Sequence, residues 1–440
     1  MAALLFVVFL ILLAKVTLVF IGYWFYIRNY KLSLRYSSLA NHHLPLAHAN
    51  YDECLAEITP DKIFIKNITG SHSAIFLEVR FRRGFFFRHQ PVKISTYANG
   101  IELSHTFERA CDGIRYIHLS PHFEAGFVDH LTFRCKGGRL VTGTTRAISY
   151  KNTVLKGGWE TEGLLIISPH PDDAEIAAGG LYAENPANTH IITVTDGGNG
   201  RNLFPGRLSG TKEEMALKKS IRTLDSLMVP QIVGVPAGNL KNLGFADSSL
   251  RELYQQKESV AGAKCWPDLV DAIKECIERC RPKTIVMPHP EIDPQVDHIM
   301  CALATLEAIE KCDLQPNLLM YANHSSSELY PLGPRGDMVT VPYLDTSAIL
   351  VSSLISVNLS NRQLLLKELL LHAMHDLKNL RDHEDSDGCL DLIKSIKKIS
   401  IMKLWPNESY FRRALRYNEL FYALEGSAVV ELKRRLINKL

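Results

Sequence analysis

LLIISPHPDDAEIAAGG, residues 164–180, opens on an apolar run and closes on residues that favour a helix. Leu164 to Ser168 reads as a strand, and Ile176 to Ala183 as a helix. The loop between them, Ser168-Pro169-His170-Pro171-Asp172-Asp173-Ala174-Glu175, is dense in imidazole and carboxylate. Strand, loop and helix then alternate downstream. The pattern gives strands at His190–Thr195, Gln231–Val235, Thr284–Met287 and Leu318–Tyr321, and helices at Lys212–Leu227, Leu269–Cys280 and Asp297–Lys311. Such alternation is the signature of a parallel α/β sheet.

In an open α/β sheet, ligands bind beyond the carboxyl ends of the strands. A second dense loop, Pro288-His289-Pro290-Glu291-Ile292-Asp293-Pro294-Gln295-Val296-Asp297-His298, follows the strand Thr284–Met287 at such an end. Imidazole and carboxylate are the usual non-thiolate ligands of a catalytic zinc, which keeps one position open. A His and an Asp three residues apart on one loop can chelate together, and a His from the other loop can complete the set. Of two adjacent carboxylates, one can bind metal while the other stays free to take a proton from water.

His170-Pro171-Asp172-Asp173 followed by Gly179-Gly180 resembles the opening AHPDDE motif of the PIG-L/LmbE family of zinc-dependent de-N-acetylases. Asp293-x-x-x-Asp297-His298 resembles that family's DxHPDH motif, and Thr195 to Gly200 its TxGExG turn. The resemblance covers about residues 160 to 380. It implies that His170, Asp173 and His298 bind Zn²⁺ and that Asp172 is the general base; two His and one carboxylate also suit Fe²⁺, the less favoured occupant. Three positions depart from the family: Ala174 and Gly198 stand where it has Glu, and Gln295 where it has a His that assists the leaving amine. Gln295 can donate a hydrogen bond but cannot deliver a proton, so His289 and His324 are candidates for that role. Asn199, Arg201, His289, Asp293 and His324 are candidate substrate contacts. Asp297 is expected to orient an imidazole or a loop amide. Arg222 and Asp225 read as an exposed i,i+3 pair, and His372, His375 and His383 as surface or capping residues.

Working outward, residues 51–150 show short β-type runs broken by Gly, Asn and Asp, which predicts a small antiparallel β-sandwich. Residues 2–27 are apolar except for Lys15 and long enough to cross a bilayer. They predict a transmembrane anchor, with Arg28, Lys31 and Arg35 placing the rest in the cytoplasm by the positive-inside rule. The expected fold is therefore a Rossmann-like, mostly parallel α/β sheet (LmbE-like) over 156–440. It is preceded by a transmembrane helix (1–27), a linker (28–50) and the sandwich (51–150).

Across 440 residues, 50 Lys+Arg against 47 Asp+Glu give a net charge of +3, which offers no nucleic-acid surface. Nine scattered cysteines without paired-ligand spacing read as reduced thiols. The C-terminal stretch from Val429 reads as a helix that could lie on lipid headgroups or stand in solvent. The function expected is hydrolysis of the N-acetyl group of a GlcNAc-type amino sugar in a glycolipid or cell-envelope glycan precursor, releasing acetate, with the anchor favouring a lipid-linked substrate met at the membrane. The alternative is a catalytically impaired carbohydrate-binding or scaffold protein that keeps the metal site.

Overall fold

The computed structural model describes residues 37–66, 68, 72–82, 90–126, 128–152, 163–199, 212–256, 264–325, 330–341, 349–377 and 413–440, with isolated positions 6, 13, 15, 17 and 24.

Nine N-terminal strands form one sheet: β1 (Tyr51–Ile58), β2 (Lys62–Ile65), β3 (His72–Arg82), β4 (Pro91–Ala98), β5 (Ile101–Arg109), β6 (Gly113–His118), β7 (His130–Lys136), β8 (Arg139–Leu140) and β9 (Gly143–Lys151). A short helix, α1 (Ser120–Glu124), separates β6 from β7. The order is β5-β4-β7-β2-β1-β9-β3-β6, with β8 on β3 and every pairing antiparallel. The expected sandwich of two stacked sheets is thus corrected to one sheet curled as a half-barrel.

Alternation along a strand places successive side chains on opposite faces, and β3 uses both. Ile75, Leu77, Val79 and Phe81 enter a core inside the curl with Ile63, Ile94, Phe107 and Ile117. Ala74 and Phe76 face the other way, into a core shared with Leu165, Ile167, Met287 and Tyr422 of the C-terminal half. Polar contacts join the halves as well, among them Thr106 to Asp337 at 2.6 Å and Ser73 to Ser353 at 2.7 Å.

The second sheet holds β10 (Leu164–Ser168), β11 (Thr189–Thr195), β12 (Leu240–Phe245), β13 (Thr284–Pro288), β14 (Asn317–Tyr321), β15 (Ser353–Asn358) and β16 (Asn418–Leu424), in the order β12-β11-β10-β13-β14-β16-β15. Its helices are α2 (Asp173–Glu184), α3 (Lys212–Met228), α4 (Leu250–Gln255), α5 (Trp266–Cys280), α6 (Val296–Glu310), α7 (Asn361–Ala373) and α8 (Val429–Ile437). Strands β12 through β14 run parallel, but β16 pairs antiparallel with both β14 and β15. The expected mostly parallel Rossmann-like sheet is therefore corrected to a mixed one. Apolar periodicity in SLISVN and NELFYAL marks strands but carries no information about their direction. Gln231–Val235, expected as a strand, lies in the 3₁₀ turn Val229–Val233 and the residues after it.

β10 is flanked by β11 on one side and β13 on the other, so the chain reverses its winding there. In open α/β sheets such a switch point is where ligands bind, here at the carboxyl ends of β10 and β13.

The Gly179-Gly180 pair has a packing reason. Helix α2 kinks at Ala178 (φ −136°, ψ 17°). Past the kink, the Gly180 and Leu181 amides both donate to the buried Glu419 carboxylate at 2.8 Å, and Lys367 pairs with that carboxylate at 2.5 Å. A Cβ on Gly180 would lie 2.5 Å from Leu359 Cδ2.

No helix among the described residues is long and apolar enough to cross a membrane. The transmembrane anchor expected over 1–27 is corrected accordingly, and the cytoplasmic placement that rested on it falls too. Most of residues 1–36 lie outside the described residues. The C-terminal helix is committed to protein contacts. Val429, Leu432 and Leu436 are buried in the core, while Lys433 pairs with Glu310 and Lys439 with Glu291. The eight described cysteines are all free.

Candidate metal centre

The loop after β10 folds on itself because the Ser168 hydroxyl donates to the His170 carbonyl at 2.6 Å and the His170 amide donates to Asp173 Oδ2 at 2.9 Å. This turns His170 and Asp173 toward one point. From the loop after β13, His298 enters at the first turn of α6. Asp173 Oδ2 lies 3.1 Å from His170 Nδ1 and 3.1 Å from His298 Nε2. The three residues offer ligand atoms all within 4.8 Å of one another. Two ligands on bonds of ~2.1 Å at tetrahedral angles stand about 3.4 Å apart, so this spacing suits one small cation. His298 Nε2 is buried and makes no aligned hydrogen bond. It sits beside Asp173 as one ligand sits beside another.

The opposite ring nitrogens are held by protein, as the imidazoles of a metal site usually are. His298 Nδ1 meets Asp293 Oδ2 at 2.9 Å. His170 Nε2 meets Asp297 at 3.4 Å and Asp247 at 3.5 Å, a second group whose atoms also lie within 4.8 Å. Burial alone would lower both imidazoles, but the carboxylates override it. Asp173 and Asp293 push His298 up to about 10, and Asp173, Asp247 and Asp297 hold His170 well above its ordinary value. Asp173, which burial pushes upward, is held well below the carboxylate range by His298 and His170. The surroundings call for positive charge at the centre, which fits a cation.

Asp172 stands at the N-cap position of α2 beside the ligand set, without a side-chain capping bond. Burial pushes its carboxyl up to about 6 against the opposing pull of Arg222, whose guanidinium lies 3.0 Å from Oδ1. Arg222 and Asp225 are buried rather than an exposed pair: Arg222 also meets Asp376 at 2.9 Å, and Asp225 meets His375 Nδ1 at 2.7 Å. His372 is exposed, 3.7 Å from Glu368, and His383 lies outside the described residues.

The other sequence-derived candidates scatter. Gln295 is the N-cap of α6, its Oε1 accepting the His298 amide at 2.8 Å. Asp293 is buried and accepts from the Gln295, Asn323 and His324 amides at 3.2, 3.0 and 3.2 Å, so its contacts are with protein. The His324 ring stands edge-on to His298 at 4.9 Å, within reach of the centre. His289 turns elsewhere, its Nδ1 taking the Glu291 amide at 3.2 Å and its ring packing on Tyr422 at 5.1 Å. The Asn199 amide donates to Asp247 at 3.1 Å, and Arg201 lies outside the described residues. Asp297 holds a loop amide, Ser248 at 2.6 Å, as well as approaching His170. Sequence reasoning missed Asp247 because the strand before it was placed at 231–235. Phe245-Ala246-Asp247 at the end of β12 was the available signal.

The fold and the side chains define a His/Asp centre at the switch point of an α/β sheet. Residues 165–309 match the model of the PIG-L family, described as GlcNAc-PI de-N-acetylase, so the chain carries a PIG-L-type domain over that span. The match supports a hydrolase-type enzyme. No functionally curated protein matches the chain. Similar solved chains include the A40926 pseudoaglycone deacetylase Dbv21, at 17% identity over 60% of this chain and 98% of the other, with a TM-score of 0.36. The 4-carboxy-2-hydroxymuconate hydratase GalB of Pseudomonas putida KT2440 is 14% identical over 60% and 96%, with a TM-score of 0.35. The conserved protein TT1542 of Thermus thermophilus is 20% identical over 59% and 94%, with a TM-score of 0.31.

Proposed function

We propose that the protein is a metal-dependent N-deacetylase that hydrolyses the acetamide of a GlcNAc-type amino sugar to a free amine and acetate. The observation that carries this is the convergence of His170, Asp173 and His298, with ligand atoms within 4.8 Å, beside an Asp172 carboxylate outside that set. His170, Asp173 and His298 would hold the cation, and zinc suits their donor chemistry. When bound, zinc would lower the pKa of water and polarise the amide carbonyl.

The chain's own groups supply the rest. Asp172 takes the proton of the attacking water and returns it to the leaving nitrogen, so one carboxylate acts as base and then as acid. His324, beside His298, is the second candidate donor, whereas Gln295 spends its oxygen on the helix cap. Asp293 and Asp297 orient the two imidazoles.

The lipid-linked form of the substrate loses its original support with the anchor. The GlcNAc-PI named in the family description keeps it worth assaying. A catalytically impaired carbohydrate-binding protein is the second reading, favoured by the capping use of Gln295. The test is Asp172→Asn with zinc content and acetate release measured together on N-acetylglucosaminyl phosphatidylinositol and on soluble N-acetylated sugars. Retained zinc with acetate release down at least about 100-fold is expected. Intact release with zinc retained would refute the base assignment, and a wild-type protein that binds zinc yet frees no acetate would favour the second reading.

A further inference from the structure

Helix α3 is amphipathic in the unexpected sense. Glu214, Lys218, Arg222, Asp225 and Ser226 are buried, while Leu224 and Met228 are 58% and 57% exposed. A helix that turns a charged stripe inward must find partners there, because an unpaired buried charge is costly. Arg222 finds three. Its two terminal nitrogens reach Asp172 Oδ1 at 3.0 Å on one side, and Asp376 Oδ2 at 2.9 Å and the Gly197 carbonyl at 3.3 Å on the other. Gly197, at φ +63°, lies flat between Pro171 and this guanidinium: an added Cβ would stand 2.8 Å from Pro171 Cδ and 2.9 Å from Arg222 Nε. The segment after α7 is fastened to the same helix a second time, by Asp225, which accepts the His375 amide at 2.9 Å and meets its ring at 2.7 Å.

We propose that Arg222 is a positioning residue that fixes the Asp172 carboxylate, and that Asp376 and the Asp225–His375 pair lock Arg222 in place. The segment 374–377 is then a working part of the centre. The inference rests on the role proposed for Asp172 and adds how that residue is aimed.

A guanidinium is a rigid planar fork. A private two-point pair would engage both oxygens of Asp172. Here Asp376 occupies the other side of the fork, so Asp172 is held through Oδ1 alone. No hydrogen bond to its Oδ2 is seen among the described residues, so the pairing ties one oxygen and leaves the other for the proton transfer proposed above. Correct aim is worth much in rate, since small misplacements of a reacting group cost about 100-fold.

The experiment uses the full-length zinc-loaded protein and its Arg222→Met, Arg222→Lys, Asp376→Asn and Arg222→Met/Asp376→Asn variants. Acetate release, zinc content and hydrogen–deuterium exchange of the 168–175 and 370–377 peptides are measured on each. Arg222→Met should lower kcat about 100-fold with KM changed less than about threefold and zinc retained. Arg222→Lys should recover all but about tenfold of the loss, because it restores the charge without the fork. Asp376→Asn alone should cost about fivefold, and almost nothing further in the Arg222→Met background, because the two act as one unit. Exchange of both peptides should quicken in Arg222→Met.

Unchanged kcat in Arg222→Met, or independent multiplication of the two single effects, would overturn the proposal. A wild-type protein that frees no acetate would instead sink the deacetylase reading. The lock is then decided by exchange, and Arg222→Met peptides that exchange as in wild type would refute it.

Discussion

Asp293 is where the proposed centre can be tested without assuming any substrate. It is 1% exposed, and its Oδ2 alone takes the His298 ring at 2.9 Å and the Asn323 and His324 amides at 3.0 and 3.2 Å. The Gln295 amide uses Oδ1 at 3.2 Å. Held this way, His298 presents Nε2 toward Asp173. In Asp293→Asn the amide oxygen can still occupy the crowded side, so the loss is one backbone bond and the negative charge that makes the imidazole more basic. In Asp293→Ala all four donors lose their acceptor inside the protein, and each buried orphan costs about 1–3 kcal/mol before water or relaxation relieves it. Partners of this kind contribute about 10–100-fold to metal affinity, or roughly 1.4 to 2.7 kcal/mol. We therefore expect about tenfold weaker zinc binding with about 1 kcal/mol lost stability for the Asn variant. For the Ala variant we expect about 100-fold weaker binding with about 3 kcal/mol lost. Competition titration against a chelator and urea unfolding of the metal-free protein measure the two quantities. Zinc binding as tight in Asp293→Ala as in wild type would show that His298 is not a ligand oriented by this carboxylate.

Three further outcomes follow from the packing. Gly180→Ala should destabilise by about 1–3 kcal/mol in chemical denaturation, since its Cβ would meet Leu359 at 2.5 Å in a filled core; a neutral result would show that α2 shifts freely. Phe76→Ala should cost about 3–5 kcal/mol, because the ring is 0% exposed in the core that the two halves share; a loss under about 1 kcal/mol would mean that the halves are not joined through it. Burial pushes His118 down to about 3 and His122 to about 4. The unfolded chain therefore binds the extra protons, and stability present above about pH 6.5 drains away as pH falls toward those values. For His118 the loss at pH 5 is about 2 kcal/mol. Melting from pH 7.5 to 5 should show it, and a His118→Gln variant with the same slope as wild type would refute the attribution.

The parts of this molecule legible in the sequence were those set by local periodicity and by loop chemistry. β10, β11, β13 and β14 follow from short apolar runs bounded by turns, and the geometry gathers His170, Asp173 and His298, which come from two loops more than a hundred residues apart. What stayed hidden depended on direction or on distant partners. The sign of β15 and β16 is fixed by which neighbours they pair with. Arg222 and Asp225 look like a solvated pair because polarity alone cannot say that a charged stripe faces inward. That stripe shows only when Glu214, Lys218, Arg222 and Asp225 are taken together at helical spacing.

Gln295 shows why a departure from a family pattern need not dismantle a centre. The residue sits between Asp293, which holds the His298 ring, and Asp297, which approaches the His170 ring. Its own oxygen accepts the His298 amide at 2.8 Å and closes the first turn of α6. An amide cannot transfer a proton, but Gln295 still fixes the backbone of the adjacent His298, a ligand in the proposed centre. In the proposed reaction, proton delivery to the leaving amine would then come from a group whose place does not depend on this loop position. Asp172, one oxygen tied to Arg222 and the other without a hydrogen bond among the described residues, meets that requirement more directly than His289, which packs against Tyr422.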